Sequence, residues 1–438
     1  MAPVTRLMST TVPGEHDVFG LRYFGQYYAM TGDPDLTAEI CDEMIFAKAH
    51  APSLYALREV ASDGLFTAFA DEPNWSLAHD LLAPAFTKQA MRRHHDVMVS
   101  VADELVDRWT RSAGGVDVSH EMTRTTFETI ARAGFGRPYG LLESDGRQVH
   151  PMVRASEVVL RTGLIKGAIS GVPGSGIIER SVDLWALRHR RYAAAHLSAI
   201  VDDAIAGRIP GRSTPGNIMD LMIGGDGTVS LDREATIRQL LTFLIAGHET
   251  TSGMLSFALF YLLRDPELLD RAIDEAQAAH SDSTSPSGLA YEQVAKMRFL
   301  RRVLDESLRL WPTVPGIARR PRFDYFLGGR YAMRPDNWII VFFHHLHRHP
   351  DVWSRPNHFD PDRFEVAAAR LRPPHVYKPF GTGIRACIGR QFAIHEALVI
   401  LSRLLVEFDF TPDPAYTLSV DERLTLMPRG FHLTARRR

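Results

Sequence analysis

The stretch KPFGTGIRACIGR, Lys378 to Arg390, holds Cys387, one of two cysteines in the chain. Its pattern runs Phe380, Gly381, Gly383, Arg385, Cys387, Gly389, and an apolar run follows, QFAIHEALVILSRLLVEF. A thiolate is a nucleophile or a metal ligand, and its surroundings decide which. Zinc and iron–sulfur sites take several thiolates or clustered histidines, whereas Cys41 lies far upstream. A Walker loop, Gly-x4-Gly-Lys-Ser/Thr, is absent. Gly381-x-Gly383-x-x-Ala386 mimics part of a dinucleotide fingerprint, but no parallel βαβ series follows it. A buried structural cysteine is the usual alternative for a lone thiol.

The neighbours favour a different chemistry. Glycines let backbone approach a flat ligand closely. The N-terminus of the following helix stabilises negative charge on sulfur. Arg385 supplies a cation for a carboxylate, and Phe380 offers an aromatic face. Together these suit an iron porphyrin held by one axial thiolate.

Such a site needs elements to position it. The chain has 438 residues, 45% hydrophobic and 23% charged, enough for a large core. Its formal net charge of −2 points to neither nucleic acid nor a membrane surface as partner. Two cysteines make no disulfide framework, which fits a reducing, cytoplasmic compartment. The N-terminus MAPVTRLMSTTVPGEHD lacks a signal-peptide pattern. The run LLTFLIAGHETTSGMLSFALFYLL (240–263) is long and apolar, but carries His248 and Glu249 near its middle. It reads as a helix buried through the centre of the protein and not as a membrane span.

Helical periodicity extends over 75–83, 97–111, 120–133, 184–206, 235–263, 266–280, 292–310 and 390–407. Strand-like runs are short, at 330–343 and 424–435. The expected fold is mainly α with small β-sheets, one domain over 1–438.

The cysteine stretch resembles the haem-binding signature of the cytochrome P-450 family, a very specific pattern. The resemblance implies Cys387 as the axial ligand of the iron in haem b, with Phe380, Gly381, Arg385 and Gly389 around the porphyrin. Thiolate ligation in this family favours O–O cleavage. Three further constellations agree. Ala246-Gly247-His248-Glu249-Thr250 resembles the oxygen-activation motif. A threonine bonding back to its own helix is the common alternative, but splitting O2 takes two protons, and an acid–alcohol pair supplies them. Glu249 and Thr250 are thus the expected catalytic residues, with Ala246 and Gly247 facing the cofactor and Gly247 admitting a ligand beside the helix. Glu306 and Arg309, with Arg363 in FDPDRF, match a buried network that braces the haem loop. Trp75 and His79, spaced i, i+4, and Arg319 match partners of the haem propionates.

The resemblance covers nearly the whole chain. NWSLAHDLLAPAF and RACIGRQFAIHEA are similar to the bacterial fatty-acid hydroxylases whose haem domain is fused to a diflavin reductase. Two departures shape the expectations. The sequence ends at Arg438 without a reductase, so electrons from NAD(P)H are expected through an external ferredoxin- or flavodoxin-type donor. It would dock on Lys88, Arg92, Arg93, Lys378 and Arg390. In the segment LRYFGQYYAMTGDPDL, Arg22 is the one basic residue near Tyr23, Tyr27 and Tyr28, so the carboxylate anchor of the relatives has no clear counterpart. Phe66, Ile245, Val314, Ile317 and Leu424 are the expected pocket walls, and 163–177 the expected lid between two helices. The expected activity is O2-dependent hydroxylation or epoxidation of a lipophilic polyketide, macrolactam or terpenoid. A fatty-acid hydroxylase is the alternative. Direct use of peroxide is disfavoured by Glu249-Thr250, and a thiolate-haem sensor or carrier has no need of that pair.

Overall fold

The computed structural model describes the chain except residues 1–6, 9, 24–25, 70, 113–114, 144–149, 170–173, 207–216, 225–229, 282–287 and 424. Leu424 therefore lies outside the described residues, as do the side chains of Arg22, Tyr23 and Tyr27.

The main helices are α1 (Pro52–Ala61), α2 (Pro73–Leu82), α3 (Met91–Arg111), α4 (Val118–Phe135), α5 (Pro151–Ile169), α6 (Ser175–Ala206), α7 (Arg233–Leu262), α8 (Pro266–Ser281), α9 (Arg298–Leu310) and α10 (Arg390–Glu407). Each helix expected from periodicity is present. The run 292–310 divides, however, into Tyr291–Val294 and α9. The Glu275 carboxylate, on α8, accepts the N–H groups of Phe299 and Leu300, each at 2.8 Å, and so caps α9 where it begins. Helices α1 and α5 were not expected. The segment 163–177 is mostly helical: α5 runs to Ile169 and α6 starts at Ser175.

Helix α7 crosses the core, capped by Asp232, whose side chain accepts the Ala235 N–H at 2.6 Å. It packs on α4, α9 and α10. At Gly247 α4 comes close: a Cβ there would stand 3.1 Å from Ile130 Cγ1. Beside it, the Thr126 hydroxyl donates to the His248 carbonyl at 2.9 Å. The missing side chain of Gly247 thus gives α4 room to pack.

A five-stranded sheet is made of β1 (Phe19–Tyr23), β2 (Gln26–Thr31), β3 (Phe46–Lys48), β5 (Gly316–Pro321) and β8 (Ile339–Phe342), in the order β1-β2-β8-β5-β3. β2 and β8 pair parallel, and its other pairs are antiparallel. β6 (Tyr325–Leu327) pairs with β7 (Tyr331–Met333), and β10 (Val420–Glu422) with β11 (Leu426–Pro428). β4 (Val116–Asp117), β12 (His432–Arg437) and β9 (Phe408–Pro412) form a third small sheet. The strand-like runs at 330–343 and 424–435 contain β7, β8, β11 and β12, while the N-terminal strands escaped the sequence pattern. The large sheet keeps its own apolar core around Leu36, Ile40, Phe46 and Val341.

Candidate active site

The cysteine loop closes on itself just before α10. The Cys387 N–H donates to the Phe380 carbonyl at 2.8 Å, and the Gly381 N–H to the Lys378 carbonyl at 3.0 Å. Gly381 (φ +72°) and Gly383 (φ +68°) occupy the left-handed region that glycine enters without strain. At Gly383 a Cβ would come within 2.1 Å of the Glu43 carboxylate, which accepts the Ile384 N–H at 3.1 Å. Gly389 directly precedes α10 with ordinary geometry (φ −81°). Burial pushes the Cys387 thiol up, opposed by the Gly389 N–H and the Arg390 guanidinium. Cys387 is nonetheless exposed.

The burial of helix α7 is interrupted over one turn. The helix is buried from Leu240 to Ile245 and from Thr251 to Phe260, but Ala246, Gly247 and Thr250 are half-buried. The Thr250 hydroxyl donates to the Ala246 carbonyl at 2.8 Å, the back-bonded form. Next to it Glu249 is 1% exposed. Its Oε2 accepts the Thr425 hydroxyl at 3.2 Å, while Oε1 has no hydrogen bond among the described residues. Burial raises the proton affinity of Glu249, and Arg423 and Thr425 oppose it. A carboxyl so placed holds its proton more tightly than a solvated one.

A cluster of cations stands beside the cysteine loop. Trp75 stacks on His79, with ring centroids 4.8 Å apart, and the Arg385 guanidinium lies 3.9 Å from the Trp75 ring centre. Arg385 Nη2 donates to the Phe69 carbonyl at 2.6 Å, but its Nη1 is buried without a partner among the described residues. His79 turns its Nδ1 to Asp80, at 3.2 Å. β3 and β5 set Lys48 directly opposite Arg319, although like charges in that register repel. Burial lowers the Lys48 ammonium to about 7, helped by the fields of Arg385, Arg319 and Arg58. Arg58 is satisfied by Glu72. Lys48, Arg319 and Arg385 thus form a positive pocket that calls for a carboxylate-bearing group, and the two propionates of a haem fit it. Lys48 was missed from the sequence, although lysine is scarce in this chain.

The expected ion network is present and buried. Glu306 and Arg309 pair through two bonds, at 2.6 and 2.7 Å, both fully buried. Arg309 also donates to the carbonyls of His347 (2.9 Å), Pro356 (2.7 Å) and His358 (3.1 Å). Arg363 Nε lies 3.5 Å from Glu306 Oε1. His347, not singled out from the sequence, joins this network to the cysteine loop: its Nε2 accepts the Lys378 N–H at 3.0 Å.

The expected pocket walls separate. Ile245 belongs to the main core, the half-buried Phe66 packs against it, and Lys48 donates to the Phe66 carbonyl. Val314 is half-buried. Ile317, on β5, is half-buried and packs against the apolar core of the large sheet. Of the expected docking cations, Lys88, Arg93 and Arg390 are exposed, Lys378 is half-buried and Arg92 pairs with Glu292 at 2.5 Å.

The family model for cytochrome P450 matches residues 11–435. A bifunctional cytochrome P450/NADPH–P450 reductase of Bacillus cereus is 35% identical over 425 residues, which are 95% of this chain and 38% of that protein. A second such protein, from Bacillus subtilis, is 35% identical over 431 residues, 96% of this chain and 39% of that one. A self-sufficient cytochrome P450 monooxygenase of Aspergillus niger is 32% identical over 438 residues, 98% of this chain and 38% of its own length. The chain belongs to the cytochrome P450 family of haem-thiolate oxidoreductases, and it spans less than two fifths of the length of these relatives.

Proposed function

We propose that the protein is a monooxygenase that inserts one atom of O2 into a C–H bond or an alkene of a lipophilic small molecule. The observation that carries this reading is the pairing, on one turn of α7, of the buried Glu249 with the half-buried Thr250. A haem bound at Cys387 supplies the iron at which O2 is activated. The remaining roles belong to side chains of this chain. Cys387 ligates through sulfur, with Phe380 and Gly389 shaping its surroundings. Lys48, Arg319 and Arg385, beside Trp75 and His79, neutralise the propionates. Thr250 holds a water or ligand against the helix, and Glu249 gives up a proton on that side. Phe66 and Ile245 supply apolar wall.

Electrons come, in this reading, from NAD(P)H through a ferredoxin- or flavodoxin-type donor and its reductase. The donor docks on the face that carries Lys88, Arg93 and Arg390. The substrate reading is a polyketide, macrolactam or terpenoid, supported by the lack of a clear carboxylate anchor near Arg22. The second reading, a fatty acid, is supported by likeness to reductase-fused relatives.

Two experiments test these readings. Thr250→Ala should lower product formed per NAD(P)H and raise peroxide release by at least tenfold. Unchanged coupling would refute the role given to the pair. Optical titration of the ferric protein with a long-chain fatty acid separates the substrates. A low- to high-spin shift at micromolar ligand selects the fatty acid, and an unmoved thiolate spectrum selects bulky neutral metabolites.

A further inference from the structure

One guanidinium is shared by carboxylates from three elements. Arg423, in the turn from β10 to β11, donates through Nε to Asp421 Oδ2 at 3.1 Å. Its Nη1 lies 3.7 Å from Glu249 Oε1 on α7 and 3.9 Å from Glu157 Oε1 on α5. The cluster runs from solvent inward. The side chains of Asp421, Glu157 and Arg423 are 40%, 35% and 35% exposed, whereas that of Glu249 is 1% exposed. Two histidines border it. His248 on α7 is buried and held neutral, with a pKa of about 4, and feels both Glu157 and Arg423. His120 on α4 is exposed and feels Arg124, Glu121, Asp117 and Glu157.

Burial alone raises the proton affinity of Glu249, because a desolvated carboxylate has lost its water. A cation within 4 Å restores part of that stabilisation. How much reaches Glu249 depends on what else holds the cation. Glu157 and Asp421 each draw the same guanidinium outward, and Glu157 does so from a different helix.

We propose that Arg423 is a positioning residue that sets the proton affinity of Glu249, with Glu157 on α5 competing for the same guanidinium. A proton that leaves the Glu249 carboxyl toward Thr250 is replaced by one from solvent at the Asp421–Glu157 rim. Arg423 stays charged throughout and gains or loses no proton. This inference rests on the proton-delivering role given to Glu249 above.

The test is a pH series of infrared difference spectra on the full-length ferric holoprotein, read at the carboxylic C=O band that disappears in Glu249→Gln. In Arg423→Gln the titration midpoint of that band should rise by about one pH unit or more, and Arg423→Lys should bring it back toward the parent value. Glu157→Gln should move it in the opposite direction, since the guanidinium then leans on Glu249. An unmoved midpoint in Arg423→Gln overturns the proposal. If that variant does not fold, an unmoved or raised midpoint in Glu157→Gln overturns it instead. The underlying reading fails separately, if Glu249→Gln leaves coupling of NAD(P)H to product intact while the midpoints still move.

Discussion

Nε2 of His347 accepts the Lys378 backbone N–H at 3.0 Å, while the carbonyl of the same histidine accepts Arg309 at 2.9 Å. One residue thus carries the buried ion pair to the first residue of the cysteine loop. The bond to Lys378 requires a neutral ring, and burial beside Arg309 and Arg348 holds the His347 pKa at about 3. His347→Ala should cost about 1–3 kcal/mol, as an orphaned N–H and a cavity both appear. Chemical denaturation of the holoprotein measures this. Loss of thiolate spectrum ahead of global unfolding would show that the loop is what loosens first.

Breaking the ion pair should cost more. Glu306→Ala leaves Arg309 charged and fully buried, with an expected loss of about 3–5 kcal/mol. Arg309→Lys keeps the charge but loses the two-point geometry and most carbonyl bonds. A melting temperature for either variant equal to that of the parent would refute the bracing role.

The cation pocket predicts graded haem retention. Arg385→Ala and Arg319→Ala should each speed transfer of haem to a haem-free acceptor protein by roughly tenfold, given about 1.5–3 kcal/mol for a charge-assisted bond. Lys48→Ala should act in the same direction. Its ammonium, lowered to about 7 by burial and neighbouring arginines, gains an anionic partner from a propionate. Equal transfer rates across the set would remove the propionates from this pocket.

Stability should fall on acidification from about pH 6.5 toward pH 4. Burial holds His50, His248 and His345 at about 4 and His347 at about 3. Each has a folded pKa below its unfolded value, so its contribution is present above about 6.5 and lost as pH drops. The unfolded chain then binds the extra proton. His280, at about 4, and His395, at about 3, add to this slope, while Glu249 and Glu396 are raised by burial and act with the opposite sign. Denaturant midpoints between pH 7 and 4 measure it, and a flat profile would contradict it. A substitution of His345 that keeps the fold should remove about one proton from the slope.

Salt dependence tests the docking face. Reduction by an acidic donor protein should slow as ionic strength rises, because Lys88, Arg93 and Arg390 are exposed. Arg93→Glu should slow it further, whereas Arg92→Glu should act less, since Arg92 is already engaged by Glu292. Salt-independent reduction would place the donor elsewhere.

What could be read from the amino acids was whatever is local in the chain. The cysteine loop is contiguous, so its glycines, Arg385 and Cys387 declare themselves by spacing. Glu306 and Arg309 share one helical turn, as do Ala246, Glu249 and Thr250. The long helices follow from apolar periodicity, and α7 from its length. The split at 295–297 could not be read, because the carboxylate that caps α9 comes from Glu275, on another helix.

The tertiary structure decided the rest, for the same physical reason: the deciding partners are distant in sequence. Lys48 becomes part of the site because β3 places it across from Arg319. Gly247 gives room to α4, because Ile130 stands where its Cβ would be. Ile317 packs against the core of the sheet, whose other members come from distant segments. His347 and Arg423 join the site through bonds that link separate elements. Sequence determined which chemistry the chain carries. Folding determined which charges face each other in low dielectric, and so how strongly each holds its proton.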